Sequence, residues 1–384
     1  MLDYLNTRVI RYSSFFEWIQ QEINDLEKKN PHHKFIFDCL KDKVSSLEEE
    51  CKKLENIIDL KEERIYERAF PIIHFLDSEI SGITEFYITA IQKETKNDLF
   101  IRDIMLEFVK RGGIYWIKDI IVSLESNYGI HAPIVDAPII FGPFYQHVSL
   151  SGISLFQHEL GHNVFYKNID KLENELFSIV HSYFSNMGIS SGPLDPMVRQ
   201  ERDKKIQMST VYWNNERLNE LFCDIYATYI CGPSYYFSNI DVAIRTGTEP
   251  KLVDQNDEHP PWDTRIYACY KTLLEIHREE EVVKSMNNLW EKYLKIKKND
   301  PLCNFTCSHN LIDKIVEGSI KNIKELLPSA SPCCEPLLDH SELDKISSLT
   351  LKHILDNQLV KILKDPNNYP KWERNAFEAI QTRI

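Results

Sequence analysis

The sequence predicts an α+β fold that is predominantly α-helical, with one small sheet set among the helices. Three observations carry this expectation. Apolar residues recur three and four apart along most of the 384 residues, which is the spacing of a helix buried along one side. The stretch His158-Glu159-Leu160-Gly161-His162 sits inside such a pattern. Only the segment 132–143 combines β-branched residues with prolines in the way of an edge strand.

The first elements are helical. Phe16, Ile19, Ile23 and Leu26 repeat by three and four until Pro31, and Leu40, Val44, Leu47, Cys51, Leu54 and Ile58 then keep heptad spacing. Residues 1–68 are therefore expected to form a helical hairpin or short coiled coil, either packed on the rest of the chain or available to a protein partner or a second copy. A core is expected over 69–298, in which more helices lead into the edge strand and then into the helix of His158. Within it, residues 163–212 form a long insertion with a helical piece near Leu172–Phe184, a turn-rich stretch at 190–196 and a charged run at 199–205. Such a connection serves either as a lid or as a peripheral hairpin. After Thr264 one long helix is expected to about Lys298, and 299–384 read as a C-terminal helical region.

Composition narrows the function classes. Hydrophobic residues make up 43% and charged residues 27%, the balance of a globular protein. The net charge of −13 argues against a general nucleic-acid surface, which needs clustered Lys and Arg. No apolar stretch is long enough for a transmembrane helix, and the start lacks a basic run followed by an apolar one, so a cytoplasmic protein with no membrane partner is expected. Nine cysteines at irregular spacing fit a reducing compartment. Cys303, Cys307, His309, Cys333 and Cys334 do not match a recognised zinc-knuckle spacing.

The chemistry is carried by residues 158–162. Residues four apart on a helix lie on one face, so the imidazoles of His158 and His162 can reach a single ion, while Glu159 is placed to hold a water against it. This is the HExxH signature of zinc hydrolases. A catalytic zinc takes three protein ligands and leaves a position for water, so a third donor must lie elsewhere. The metzincin pattern is excluded, because Phe165 and Asn168 stand where it needs Gly and His. Downstream, Asn219-Glu220-Leu221-Phe222-Cys223-Asp224 lies in an apolar helical run from Trp213 to Ile230.

With these two segments the chain resembles the gluzincin metallopeptidases, of which thermolysin is representative, and more narrowly a group of bacterial proteins that pair HELGH with E-L-F-x-D and a following Gly-Pro, here Gly232-Pro233. The resemblance implies a gluzincin-like core, Zn2+ as cofactor, Glu220 as third ligand beside His158 and His162, and Asp224 as the partner of a ligand histidine, His158. Glu216 competes as a ligand, but it lacks an aspartate four residues on. In the same bacterial group an H-P-P segment with an arginine follows the ligand helix, matching His259-Pro260-Pro261 and Arg265. The resemblance assigns His259 and Arg265 to the oxyanion of the tetrahedral intermediate, with the alternative that they only open a helix beside the acidic loop 254–258. The activity so implied is hydrolysis of a peptide or protein substrate, internal rather than terminal because no acidic motif for a substrate amine is evident. A catalytically silent zinc-fold sensor or scaffold and a hydrolase of non-peptide amides are the alternatives.

Overall fold

A computed structural model describes residues 2–59, 65–124, 128–131, 136–143, 150–189, 196–278, 280–297, 300–333, 338, 343, 345–346, 349, 351–365 and 367–382. It is predominantly helical with a small three-stranded sheet. The chain divides into two units, one made of Met1–Arg102, Trp116–Ser126 and His131–Phe141, the other of Asp103–Tyr115, Asn127–Ile130 and Gly142–Ile384.

The first unit begins with α1 (Leu2–Lys29) and α2 (Lys34–Asp59), joined by a 3-10 turn at Pro31–His33. Pro31 sits at the start of that turn, where its missing N–H costs nothing. The heptad residues Leu40, Val44, Leu47, Cys51, Leu54 and Ile58 are all buried. They share one apolar core with Phe16, Ile19, Ile23 and Leu26 of α1, and with Ala69, Ile73 and Leu76 of α3 (Ile65–Ser81). The heptad face of the hairpin is thus covered from within the chain by a third helix. A π-helical segment (Gly82–Ile88) and α4 (Thr89–Lys93) follow, and the Tyr87 hydroxyl donates to the carbonyl of Ala137 at 2.9 Å.

The sheet corrects one expectation. Its strands are β1 (Ile121–Ser123), β2 (Gly129–His131) and β3 (Ile139–Phe141), in the order β1-β3-β2. β3 runs parallel to β1, with Ile121 opposite Ile139. The Ile139–Phe141 segment is therefore the central strand and not an edge. The prolines explain why: Pro138 and Pro143 flank the three residues instead of interrupting them, and the Pro138 carbonyl accepts the Ile121 N–H at 3.1 Å. The edge falls to β2, whose Gly-Ile-His carries little strand propensity and so left no pattern to read. The rest of the expected strand segment, 132–135, lies outside the described residues.

The second unit is built on α6 (Leu150–Lys167) packed against α9 (Asn215–Cys231). Around this pair lie α7 (Ile169–Ile189), α8 (Pro196–Tyr212), α10 (Pro233–Thr246), α11 (Trp262–Glu275), α12 (Glu281–Lys295), α13 (Pro301–Thr306), α14 (His309–Leu326), α15 (Leu351–Lys364) and α16 (Tyr369–Gln381). A helix over Lys96–Arg111, α5, carries the chain from the first unit into the second.

Two glycines shape α9, one by letting α6 approach it and the other by ending it. A Cβ on Gly161 would lie 2.9 Å from Cys223 Cα, so only glycine lets the two backbones approach this closely. α9 stops at Gly232, whose φ of 63° and ψ of −138° suit glycine alone, and Pro233 then starts α10. The start of α9 is set by Asn214, whose side chain accepts the Arg217 N–H at 3.0 Å.

The long helix expected after Thr264 is in fact two. α11 ends at Glu275, His277 adopts φ 60°, and α12 starts at Glu281. The break is a tertiary effect: the buried Arg278 donates to the Cys333 carbonyl at 3.0 Å and pairs with Glu280, which no local pattern announces. In the insertion, α7 and α8 pack against each other, and residues 190–195 of the expected turn lie outside the described residues. No described helix is long and apolar enough to cross a membrane.

Candidate metal centre

Two turns of α6 aim His158, Glu159 and His162 at one place, and α9 brings Asn219, Glu220, Cys223 and Asp224 to meet them. His158 Nε2 lies 3.1 Å from Glu220 Oε2, and His162 Nε2 lies 3.4 Å from Glu220 Oε1. The imidazole rings are 4.8 Å apart and nearly perpendicular. Zinc–ligand bonds of about 2.0–2.1 Å set tetrahedral ligand atoms roughly 3.3 Å from one another. The two imidazole–carboxylate separations are close to that edge, so these residues are of the kind and spacing that could hold a zinc ion.

The other ring nitrogens face side-chain oxygens, which orients both rings. His158 Nδ1 faces Asp224 Oδ1 at 3.1 Å, and His162 Nδ1 faces Asn219 Oδ1 at 3.2 Å. Asp224 is fully buried and held from three sides. Arg265 donates to it through Nε at 2.6 Å and Nη2 at 2.9 Å, and the Tyr235 hydroxyl of α10 donates at 2.5 Å.

The electrostatics favour positive charge at this point. Burial alone would lower His158, yet the carboxylates of Glu220 and Asp224 carry it up to about 10. Burial opposes ionisation of Glu220, but His158 and Arg265 pull it down to about 2, and Asp224 falls well below the carboxylate range against the same penalty, chiefly through Arg265. Burial and the neighbouring His158 push His162 down to about 4, which leaves its lone pair free. Burial raises Glu159 to about 7, a value at which a carboxylate exchanges a proton readily near neutral pH.

Proximity alone offers a rival donor, because Cys223 Sγ also lies near the two imidazoles. Its contact, however, is with His162 Nδ1 at 3.3 Å, the ring atom turned away from Glu220. Burial moreover pushes its thiol well above the ordinary range. Glu220, which faces Nε2 of both rings, is by this geometry the candidate third donor. Glu216 is exposed on the first turn of α9, where the Asn214 amide donates to it at 2.6 Å, away from the imidazoles.

A cavity of about 410 Å³ opens over this cluster. Its walls include Tyr128, Gly129 and Ile130, and also Tyr166, Val242 and Trp262. The strand at the cavity is thus the beginning of β2, where the sequence pattern pointed to Ile139–Phe141. From the insertion 163–212 only Tyr166 lines it among the described residues.

The two expected oxyanion donors separate. His259 stands half-exposed at the rim, with Nε2 3.4 Å from Glu220 Oε2 and Nδ1 3.0 Å from Asp257 Oδ1. Arg265 is buried, stacks over Trp262 and spends its donors on Asp224, with Nη2 3.8 Å from Glu220. Its geometry is that of a group that positions carboxylates. The acidic loop belongs to another arginine: Arg217 donates to the carbonyls of Asp254, Gln255 and Asp257 at 3.2, 2.8 and 2.5 Å.

Sequence reasoning passed over Tyr166 and Tyr235. Tyr166 follows His162 by four residues, as His162 follows His158, so the helical face itself carried the signal. Tyr235 reaches Asp224 from another helix and left none. Among the described residues the cysteine-rich segment forms no candidate metal cluster: His309 stacks on Tyr267, Arg278 donates to Cys333, and Cys334 lies outside the described residues. Comparison with protein-family models, curated proteins and solved structures returns no match to this chain.

Proposed function

We propose that this chain is a zinc-dependent metallopeptidase of gluzincin type. The observation that carries the reading is the meeting of His158 Nε2, His162 Nε2 and the Glu220 carboxylate at 3.1–3.4 Å, with Glu159 in the same cavity. A zinc ion held by these three residues would polarise a water molecule and a substrate carbonyl at neutral pH.

The protein's own groups do the rest. Glu159 takes the proton of the attacking water as its oxygen bonds to the carbonyl carbon, and delivers a proton to the amine nitrogen as the C–N bond breaks. Glu159 lies in the same cavity as the three ligands, where its carboxylate can reach a water held there. Asp224 keeps His158 oriented, and Arg265 with Tyr235 keeps Asp224 oriented. His259 and Tyr166 stand at the cavity wall, where each can donate to the carbonyl oxygen as it gains charge.

Among the described lining residues the carboxylates are Glu159 and Glu220. Both are committed to the chemistry, so neither is free to hold a substrate amine, which favours cleavage inside a chain over removal of its first residue. The test is mass spectrometry of products from a peptide library, with and without chelator, for the parent chain and for Glu159→Gln. The reading requires metal-dependent cleavage by the parent and none by Glu159→Gln. A parent chain that carries zinc and cuts nothing would leave the centre as a sensor or scaffold.

A further inference from the structure

A second cluster of metal-ligating groups lies in the first unit, outside the centre described above. The 3-10 turn at Pro31–His33 presents two adjacent imidazoles with rings 4.4 Å apart. Both point their Nε2 at Glu94, the residue that ends α4: His32 Nε2 lies 3.0 Å from Oε2 and His33 Nε2 lies 2.7 Å from Oε1. One donor atom from each of the three residues falls within 4.8 Å of the others. The His33 and Glu94 side chains are buried, at 0% and 3% exposure, whereas His32 is 37% exposed and leaves one side of the cluster open to solvent.

Behind this cluster the support repeats the arrangement of the first centre. His33 Nδ1 faces Asp119 Oδ2 at 3.4 Å, as His158 Nδ1 faces Asp224. Asp119 takes Arg102 through Nε at 3.0 Å and Nη2 at 2.6 Å, as Asp224 takes Arg265 through the same two atoms. Asp119 Oδ1 also accepts the Ile120 N–H at 2.8 Å, so its position is fixed by backbone as well as side chain. In both places an imidazole Nε2 meets a glutamate, its Nδ1 meets an aspartate, and the aspartate is gripped by a guanidinium.

We infer that His32, His33 and Glu94 form a second site for a divalent zinc-class cation. Without an ion the cluster is held by protons, with His33 bridging Glu94 and Asp119 and His32 donating to Glu94. An ion would take the place of the two Nε2 protons: the Nε2 lone pairs of both rings and the Glu94 carboxylate would turn to it, and the Nδ1–H of His33 would stay on Asp119. Two imidazoles and a carboxylate form a borderline ligand set that suits zinc over magnesium or calcium. The site ties the turn between α1 and α2 to the end of α4.

The test counts ions on the full-length chain. The protein is stripped with chelator, equilibrated with zinc, freed of excess and assayed for zinc per chain by mass spectrometry. Two ions are expected on the parent, one on His158→Ala/His162→Ala, and none when His32→Ala is added; Glu94→Gln in place of His32→Ala must also remove the last ion. Circular dichroism on each variant establishes that it is folded. A folded His158→Ala/His162→Ala chain without zinc, or one that keeps its ion after both His32→Ala and Glu94→Gln, overturns the second site and leaves a salt-bridge cluster. Loss of one ion with His32→Ala alone, in a parent that cleaves no peptide, would uphold this site while the proposed function fails.

Discussion

Arg265 grips Asp224 with two hydrogen bonds, Nε to Oδ2 at 2.6 Å and Nη2 to Oδ1 at 2.9 Å, and both groups are buried. Asp224 spends its remaining capacity on His158 Nδ1 and the Tyr235 hydroxyl. In the proposed zinc centre the pair would therefore act on the metal through an imidazole and not on the substrate directly.

Arg265→Lys should accordingly weaken zinc binding, since one ammonium cannot fill both guanidinium positions. Removal of groups that orient a ligand imidazole typically lowers metal affinity by about 10- to 100-fold. Competition with a zinc-binding dye measures it. Unchanged affinity with a large loss of turnover in the zinc-loaded protein would return Arg265 to the oxyanion role.

The ligand set is decided by three substitutions read together. Glu220→Ala should lose most bound zinc, while Glu216→Ala and Cys223→Ala retain it, because Glu216 is exposed at the helix start and Cys223 touches the back of the His162 ring. Metal content after dialysis is the measurement. Loss of zinc in Cys223→Ala with retention in Glu220→Ala would reverse the assignment.

For the proposed reaction, the cavity wall offers two groups that could donate to the oxyanion, His259 and Tyr166. Removing a donor that acts only in the transition state typically costs about 10²- to 10³-fold in turnover. Either Tyr166→Phe or His259→Ala should show that loss in kcat with KM nearly unchanged. If both variants turn over like the parent, stabilisation comes from elsewhere in the cavity.

Gly161 offers a test of the fold. Its Cβ position lies 2.9 Å from Cys223 Cα and 3.1 Å from Cys223 Sγ, so Gly161→Ala must push α6 and α9 apart. Overpacking of this kind typically costs about 1–3 kcal/mol. Thermal unfolding should show the destabilisation, accompanied by weaker zinc binding, since the same two helices carry the three proposed ligands. An unshifted midpoint would mean that the helices part without cost.

What the sequence determined by itself is local. Helical periodicity alone places His158, Glu159 and His162 on one turn and adds Tyr166 to their face, because positions four apart superpose whatever surrounds the helix. The heptad residues of α2 are buried as their spacing predicts, and Gly232-Pro233 ends one helix and opens the next for reasons held in those two residues. The tertiary structure decided everything that depends on how helices cross. The α6–α9 approach brings Glu220, and not Glu216, to the two imidazoles, and the docking of α10 and α11 turns Tyr235 and Arg265 onto Asp224. Strand order makes β3 central and hands the edge to β2, although β3 has the stronger strand composition. His32, His33, Glu94 and Asp119 are ordinary residues in the chain, and only the packing around the α1–α2 turn brings them within hydrogen-bonding reach. Local periodicity fixes which residues share a face, whereas convergence across tens of residues is set by side-chain packing, which no single segment encodes.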